Sequence, residues 1–89
     1  MFIVYALKSI SHNFIYVGMT ENLEDRLQRH NKGYVSSTEK FKPFRLFFFE
    51  KCQTGQQARE REKFLKSTSG KRFLRSILID QNNNGGIGR

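Results

Sequence analysis

The chain contains few residues that cross-link a fold or stiffen its backbone. Among 89 residues there are one cysteine, one proline and no tryptophan. The single cysteine, Cys52, excludes an intrachain disulfide, and we interpret it as a small buried apolar side chain in a reducing compartment. No apolar run approaches the ~20 residues of a membrane-spanning helix. The N-terminal segment lacks the basic stretch of a signal peptide, so we expect a cytoplasmic protein.

Acidic residues are also scarce. Eight of them stand against sixteen lysines and arginines, and the formal net charge is +8. An excess this large on a small domain favours a polyanionic partner, most often nucleic acid. Charge alone leaves open a basic protein without such a partner, and it neither separates DNA from RNA nor predicts a sequence preference.

The apolar residues predict three strands in an α+β domain over residues 1–80. Residues 2–8 form a near-continuous apolar run, and the short polar segment after them favours an antiparallel hairpin with residues 14–19. A third run, residues 44–50, follows Pro43 and is apolar on both faces. We therefore predict that this third run is the central strand.

Helix start and stop signals complete a predicted β-β-α-β-α-α order. Thr20 and Asn22 are both candidate N-caps of the first helix. We expect that helix to end near Asn31-Lys32-Gly33, where the glycine can take a left-handed conformation. A capping-box pattern, Thr54 followed by Gln57, predicts the start of the second helix.

The C-terminal part of the chain predicts one more helix and a tail. A short third helix is expected to start at Ser69 or Gly70, because apolar residues recur there at helical intervals. Residues 81–89 have too little apolar surface to pack, so we predict that they are disordered.

Five side chains are the candidates for chemistry: Tyr5 and Tyr16 on the hairpin, Arg26 and His30 on the first helix, and Glu62 on the second. Arg26 and His30 are four residues apart, so they are neighbours at one edge of the apolar stripe of their helix. Glu62 also falls at a stripe edge, where an ionised carboxylate needs a partner. That partner is either Arg26 or a lysine of the protein, or a bound cation.

These residue types suit the hydrolysis of a phosphodiester. A water that attacks phosphorus needs a base, and a phenol beside cations can have its pKa lowered enough to help. An arginine fork matches two phosphate oxygens, and one carboxylate with water and phosphate can hold Mg²⁺. Alternatives remain open: the tyrosines pack as ordinary strand aromatics, and Gly18 marks either a bulge or a close backbone approach.

With these residues placed, the chain resembles the GIY-YIG nuclease family over residues 2–78. The two name-giving triplets correspond to Ile3-Val4-Tyr5 and Tyr16-Val17-Gly18. Residues 22–31 resemble the helix that carries the family's arginine and histidine, and residues 58–66 resemble the helix that carries its metal-binding glutamate. The likeness is to small stand-alone, single-domain members and to the N-terminal domain of the excinuclease members of the family.

The resemblance implies a three-stranded antiparallel sheet flanked by helices, and a metal-dependent endonuclease that acts on DNA in repair or recombination, with structure-selective cleavage. It implies one Mg²⁺ or Mn²⁺ ion held by Glu62, and Arg26 on the phosphate. Tyr16 is favoured as the base over Tyr5, and His30 is expected to orient water or phosphate.

Two departures from the family pattern are visible. Ile3 replaces the first glycine of the name, and Met19 stands where some relatives carry a lysine that helps to acidify a tyrosine. The open alternatives are a nucleic-acid-binding module without catalysis and a protein-interaction module. We expect a monomer or weak homodimer, with specificity supplied by a partner protein. The residues predicted to contact nucleic acid are Gly18, Arg29, Lys32, Lys40 and Lys42.

Overall fold

The first strand of the chain forms the centre of a three-stranded antiparallel sheet. The computed structural model describes the backbone of residues 1–86 and the side chains of residues 1–81. In it, β1 (Phe2–Ser9) pairs on one side with β2 (Ile15–Thr20) and on the other with β3 (Phe44–Cys52).

The prediction that the third strand is central is wrong, because the order in the sheet is β2-β1-β3. Four consecutive residues of β1, from Val4 to Leu7, are buried, as expected for a strand covered on both faces. On β3 the burial is broken by exposed positions, among them Arg45 and Phe49. A run of phenylalanines therefore does not by itself place a strand at the centre of a sheet.

The observed element order confirms the predicted β-β-α-β-α-α arrangement and the α+β class. The helices are α1 (Leu23–Asn31), α2 (Gly55–Lys66) and α3 (Thr68–Gly86), with a short 3-10 turn at Glu39–Phe41 inside the loop between α1 and β3. None of these helices, over the described part of the chain, has the length and apolar character needed to cross a bilayer.

Local hydrogen bonds explain where α1 and α2 begin. Asn22, rather than Thr20, caps α1, because its Oδ1 accepts a bond of 3.0 Å from the backbone N–H of Asp25. Thr54 caps α2 by accepting a 3.1 Å bond from the N–H of Gln57, as the capping-box pattern predicted. After α1 the chain turns at Gly33, whose φ of +81° is the left-handed conformation expected there.

The helices cover the two faces of the sheet separately. α2 and α3 pack on one face through Ala58, Leu65 and Leu74, against Val4 and Val17. The other face, on which α1 lies, is built around the buried side chains of Tyr5, Leu7 and Phe44, with Leu23 and Leu27 of α1 against them. Because side chains alternate along a strand, Tyr5 points to the α1 face while Val4 points to the α2 face.

α3 is longer than the sequence predicted. It starts at Thr68 and reaches Gly86, so the backbone of residues 81–86 is helical where a tail without structure was expected. Residues 87–89 lie outside the described residues. Gln81 continues the packing, since its Nε2 donates a 3.1 Å hydrogen bond to the carbonyl oxygen of Phe47.

Candidate active site

The two tyrosines of the hairpin meet over a glycine. Tyr5 lies directly opposite Gly18 in the β1–β2 ladder, and the ring centroids of Tyr5 and Tyr16 are 6.1 Å apart. A Cβ added at Gly18 would stand 2.8 Å from Tyr5 Oη and 2.9 Å from Tyr16 Cε2. The space over Gly18 is therefore occupied by these two side chains, and the β1–β2 register runs through Gly18 without a bulge.

His30 closes this cluster from α1. Its side chain is fully buried, and its Nε2 lies 3.0 Å from Tyr5 Oη. The ring centroids of His30 and Tyr16 are 4.7 Å apart. Burial, and then the positive charge of Arg26, lower the pKa of His30 from its ordinary value of 6.5 to about 4. The imidazole is consequently neutral at physiological pH.

Arg26 lies one helical turn before His30, on the same edge of α1. Its Nε is buried and has no hydrogen-bond partner among the described residues. The guanidinium is close enough to Tyr5 that hydrogen bonding to that phenol raises the pKa of Arg26, which stays charged. A buried guanidinium N–H without an acceptor is costly, so the position suits an anionic oxygen brought by a ligand.

The two tyrosines differ in exposure. Tyr5 has no exposed surface, whereas Tyr16 is half-buried. Burial raises the pKa of Tyr5 above its ordinary value; Arg26 opposes this shift and Tyr16 adds to it. Tyr5 is thus held as a neutral phenol, and Tyr16 is the phenol that a molecule in solution can reach.

Glu62 is the candidate residue that the second helix contributes. It lies on α2, whose inner residues Ala58 and Leu65 pack on the opposite face of the sheet. Only 22% of its side chain is exposed, and its Oε2 forms a 3.2 Å ion pair with Lys66. Among the described residues no hydrogen bond or ion pair joins Glu62 to Arg26. Of the two protein partners predicted for this carboxylate, the lysine is the one found.

The surroundings of Glu62 suit a metal ion that takes one protein ligand. Within the described part of the chain, no three histidine, cysteine, aspartate or glutamate side chains are grouped as a metal site would group them. A single carboxylate that is largely buried, and paired among the described residues with the exposed Lys66, still fits one hard divalent ion that keeps most of its ligands as water and phosphate.

The basic residues predicted to contact nucleic acid surround the C-terminal end of α1. Arg29 and Lys32 are on α1 or directly after it, and Arg29 forms a 2.8 Å ion pair with Asp25. Lys40 and Lys42 are exposed in the following loop, where Lys40 Nζ lies 5.6 Å from the ring centroid of Phe41. The loop that contains Lys40 and Lys42 also contains Thr38, the buried partner of His30.

Two residues that the sequence did not single out take part in the site. Thr38 is fully buried, and its Oγ1 lies 2.9 Å from His30 Nδ1. Asn31 links α1 to β3 by two hydrogen bonds to the backbone of Phe44. Its Oδ1 accepts a 2.6 Å bond from the N–H of Phe44, and its Nδ2 donates a 3.2 Å bond to the carbonyl oxygen of Phe44. Thr38 lies in a polar loop without periodicity, and Asn31 resembles a helix stop signal, so neither pattern indicated a contact.

The comparisons with known proteins agree with the resemblance seen in the sequence. A family model described as the GIY-YIG catalytic domain matches residues 1–75. A UPF0213 protein of Clostridium perfringens (strain 13 / Type A) is 32% identical over 75 residues, which cover 83% of this chain and 80% of that protein. No solved structure matches at a comparable level of significance. The matched region includes the full sheet and every candidate site residue from Tyr5 to Glu62, and the chain belongs to the GIY-YIG family.

Proposed function

We propose that this protein is a divalent-metal-dependent endonuclease that hydrolyses phosphodiester bonds of DNA. The observation that supports this most strongly is Arg26, whose buried Nε has no partner among the described residues and whose guanidinium interacts with the phenols of Tyr5 and Tyr16. A phosphodiester oxygen supplies the acceptor that this donor lacks, and the chain's net charge of +8 favours a polyanionic substrate.

In this proposal Arg26 binds the phosphate that is cut. Its planar fork can donate to two non-bridging oxygens at once, and the attraction strengthens as negative charge builds up on them in the transition state. The Nε of Arg26 is buried, and a low-polarity surrounding strengthens its attraction to an anionic oxygen. His30, held neutral, does not compete for the anion.

Tyr16 is the group that we assign as base. It is the half-exposed phenol of the pair, so an attacking water can approach it, whereas Tyr5 has no exposed surface. Acting as a phenolate, the Tyr16 oxygen would accept a proton of that water as the new phosphorus–oxygen bond forms. The bond to the leaving oxygen breaks with its electron pair, and the leaving alkoxide takes up a proton from solvent. Tyr5, with its raised pKa, remains a phenol and a structural partner of Arg26.

Glu62 is the residue that would hold the metal ion, Mg²⁺ or Mn²⁺. When bound, such an ion neutralises charge on the leaving oxygen of the phosphodiester. The side chain of Glu62 is largely buried but keeps an exposed fraction of 22%. This suits a carboxylate that binds a metal ion together with phosphate and water.

Substrate choice follows from the kind of contacts available. Contacts through Arg29, Lys32, Lys40 and Lys42 would go to phosphates, which position a nucleic acid without reading its sequence. We therefore propose selection by DNA structure, such as branched or nicked sites in repair or recombination, with any sequence preference supplied by a partner protein. The inner position of Gly18, against the tyrosine rings, makes its contribution indirect.

A second candidate function is a nucleic-acid-binding module that does not cut. The ion pair of Glu62 with Lys66 favours it, because the carboxylate already has a cationic partner. Met19, in the position of a lysine in some relatives, also removes one cation from the neighbourhood of the tyrosines.

The proposal is tested by incubating labelled branched, nicked and duplex DNA with the protein and Mg²⁺ or Mn²⁺. Arg26→Met should lower the rate by about 10²- to 10³-fold, the usual cost of removing one donor to a transition-state oxyanion. Arg59→Met removes the same charge at an exposed position of α2 and is the matched control. Equal rates for Arg26→Met and Arg59→Met would contradict the assignment, and salt-sensitive binding without cutting by any protein would favour the binding module.

A further inference from the structure

The loop between α1 and β3 buries a hydroxyl that the proposed function does not use. Thr38 has no exposed surface, although the residues on either side of it, Ser37 and Glu39, are exposed. Its Oγ1 lies 2.9 Å from His30 Nδ1, and His30 Nε2 in turn lies 3.0 Å from Tyr5 Oη. A continuous chain of hydrogen bonds therefore runs from the loop to the tyrosine pair.

At the loop end of this series of hydrogen bonds, a backbone carbonyl determines which group donates. Thr38 Oγ1 lies 3.2 Å from the carbonyl oxygen of Val35, which can only accept. When the single hydroxyl proton of Thr38 is donated to this carbonyl, it is not available to His30. The bond between Thr38 and His30 must then run the other way, with Nδ1–H of His30 donating to Thr38 Oγ1.

The direction at the other end is set by Arg26. A guanidinium has donors only, so the lone pairs of Tyr5 Oη are the groups that can face it. The hydroxyl proton of Tyr5 is left to point at His30 Nε2, which must carry a lone pair. Both ends fit the same neutral tautomer of His30, protonated on Nδ1 and unprotonated on Nε2.

We propose that Thr38 is a positioning residue that holds His30 in the Nδ1-protonated tautomer and so turns the Tyr5 hydroxyl proton away from Arg26. This inference rests on the proposed function, in which Arg26 binds the phosphate. In the opposite tautomer, Nε2–H would donate to Tyr5, and the Tyr5 proton would face a guanidinium that has no acceptor. Arg26 would then be displaced from the position in which it can receive a phosphate.

The tautomer is measured directly from the ¹⁵N chemical shifts of the imidazole ring, which differ strongly between a protonated and an unprotonated ring nitrogen. A His12→Gln background leaves His30 as the single histidine, because the chain has two. The expected result is a protonated Nδ1 in the otherwise unchanged protein. A protonated Nε2 there would overturn the proposal, whether or not the protein cuts DNA.

Two substitutions at Thr38 separate positioning from packing. Thr38→Val keeps the shape but removes the acceptor, so His30 should move to the Nε2-protonated tautomer. Cleavage should fall by about 10- to 100-fold, as it does when the partners of metal-bound histidines are removed. Thr38→Ser retains the hydroxyl and should restore both the tautomer and the rate. If Thr38→Val kept a protonated Nδ1, Thr38 would not be the residue that determines the tautomer.

Tyr5→Phe gives an independent test that does not disturb the loop. It removes the donor to Nε2 but leaves Thr38 in place, so the Nδ1-protonated form should persist. A change of tautomer in Tyr5→Phe would show that Tyr5, not Thr38, sets it, and would overturn the inference even if Thr38→Val failed to fold. If neither the variants nor the unchanged protein cut DNA while the tautomers followed the expected pattern, the proposed function alone would fail.

Discussion

Lys66 Nζ lies 3.2 Å from Glu62 Oε2, one helical turn further along α2. The lysine side chain is 55% exposed and the glutamate side chain 22%, so the lysine covers the carboxylate from the solvent side. Any cation that binds Glu62 must displace or share this contact. Because the lysine side chain is more than half exposed, the competition is weak, on the order of the 0.2–1 kcal/mol that surface ion pairs contribute.

Removing the competing lysine should make the metal site easier to fill. Lys66→Met should lower the Mg²⁺ concentration at half-maximal cleavage by about two- to fivefold, which corresponds to the free energy of an exposed ion pair. Lys63→Met removes an exposed lysine of the same helix that forms no ion pair among the described residues, and it should change the midpoint less. Identical midpoints for the two variants would show that Lys66 does not compete with the metal.

A methyl group at Gly18 should disturb the tyrosine pair. The added Cβ of Gly18→Ala would stand 2.8 Å from Tyr5 Oη, so both rings must shift, at a cost of about 1–3 kcal/mol in the free energy of unfolding. Cleavage should fall as well, because Tyr16 moves. In Gly55→Ala the Cβ meets its nearest neighbours at 3.4 Å, and the change should stay under about 1 kcal/mol. Chemical denaturation of both variants checks this, and equal stabilities would contradict the packing described at Gly18.

The buried histidine should make the protein less stable in acid. The pKa of His30 is lowered in the folded state to about 4, so between that pH and its ordinary value of 6.5 the unfolded chain binds the proton more readily. The stabilisation that comes from the neutral, buried His30 is therefore complete above pH 6.5 and is lost as the pH falls toward 4. It amounts to at most roughly 3 kcal/mol in the free energy of unfolding. Of the groups near His30, Arg26 stays charged in this window, and Tyr5, whose pKa is raised, stays neutral.

Two histidine variants isolate this effect in urea unfolding between pH 4 and 7. In His30→Gln the fall in stability toward low pH should be shallower than in the unchanged protein. His12→Gln, at an exposed histidine, should keep the full dependence because it leaves His30 in place. Parallel curves for the unchanged protein and His30→Gln would show that other groups cause the acid sensitivity.

The lysines around α1 should contribute to DNA binding through phosphates. Lys32→Met or Lys42→Met should weaken binding equally for all sequences and reduce the slope of log affinity against log salt by about 1. Lys51→Met, on the part of β3 that pairs with the start of β1, serves as the control and should leave the slope unchanged. Fluorescence anisotropy over a range of salt concentrations measures the slope. Equal slopes for all three variants would show that Lys32 and Lys42 do not contact the DNA phosphates.

Much of the fold could be read from the sequence because its signals are local. The N-cap at Thr54, the turn at Gly33 and the apolar runs of the strands each depend on a few neighbouring residues, and each appears in the structure. The order of strands in the sheet depends instead on which strand is covered from both sides. That is decided by packing of distant elements, and the phenylalanines of β3 predicted it wrongly.

In the candidate site, too, local sequence signals predicted some residues and missed others. The helical spacing of Arg26 and His30 was enough to place them together, and the structure brings both to the tyrosines. Thr38 could not be found in this manner, because a loop residue reaches His30 only through the path of the whole chain. The C-terminal boundary was also misjudged. Polar residues continue α3 to Gly86, since a helix already packed can extend beyond its apolar stripe.

The most direct measurement is the metal dependence of cleavage in the unchanged protein and in Glu62→Gln, which keeps the size of the side chain and removes its charge. Labelled branched, nicked and duplex DNA would be incubated with each protein over a range of Mg²⁺ and Mn²⁺ concentrations. We expect cleavage by the unchanged protein that requires the metal and is lost in Glu62→Gln, while DNA binding and thermal stability are retained. Metal-dependent cleavage at the same rate by both proteins would contradict the assignment of Glu62 as the residue that holds the ion.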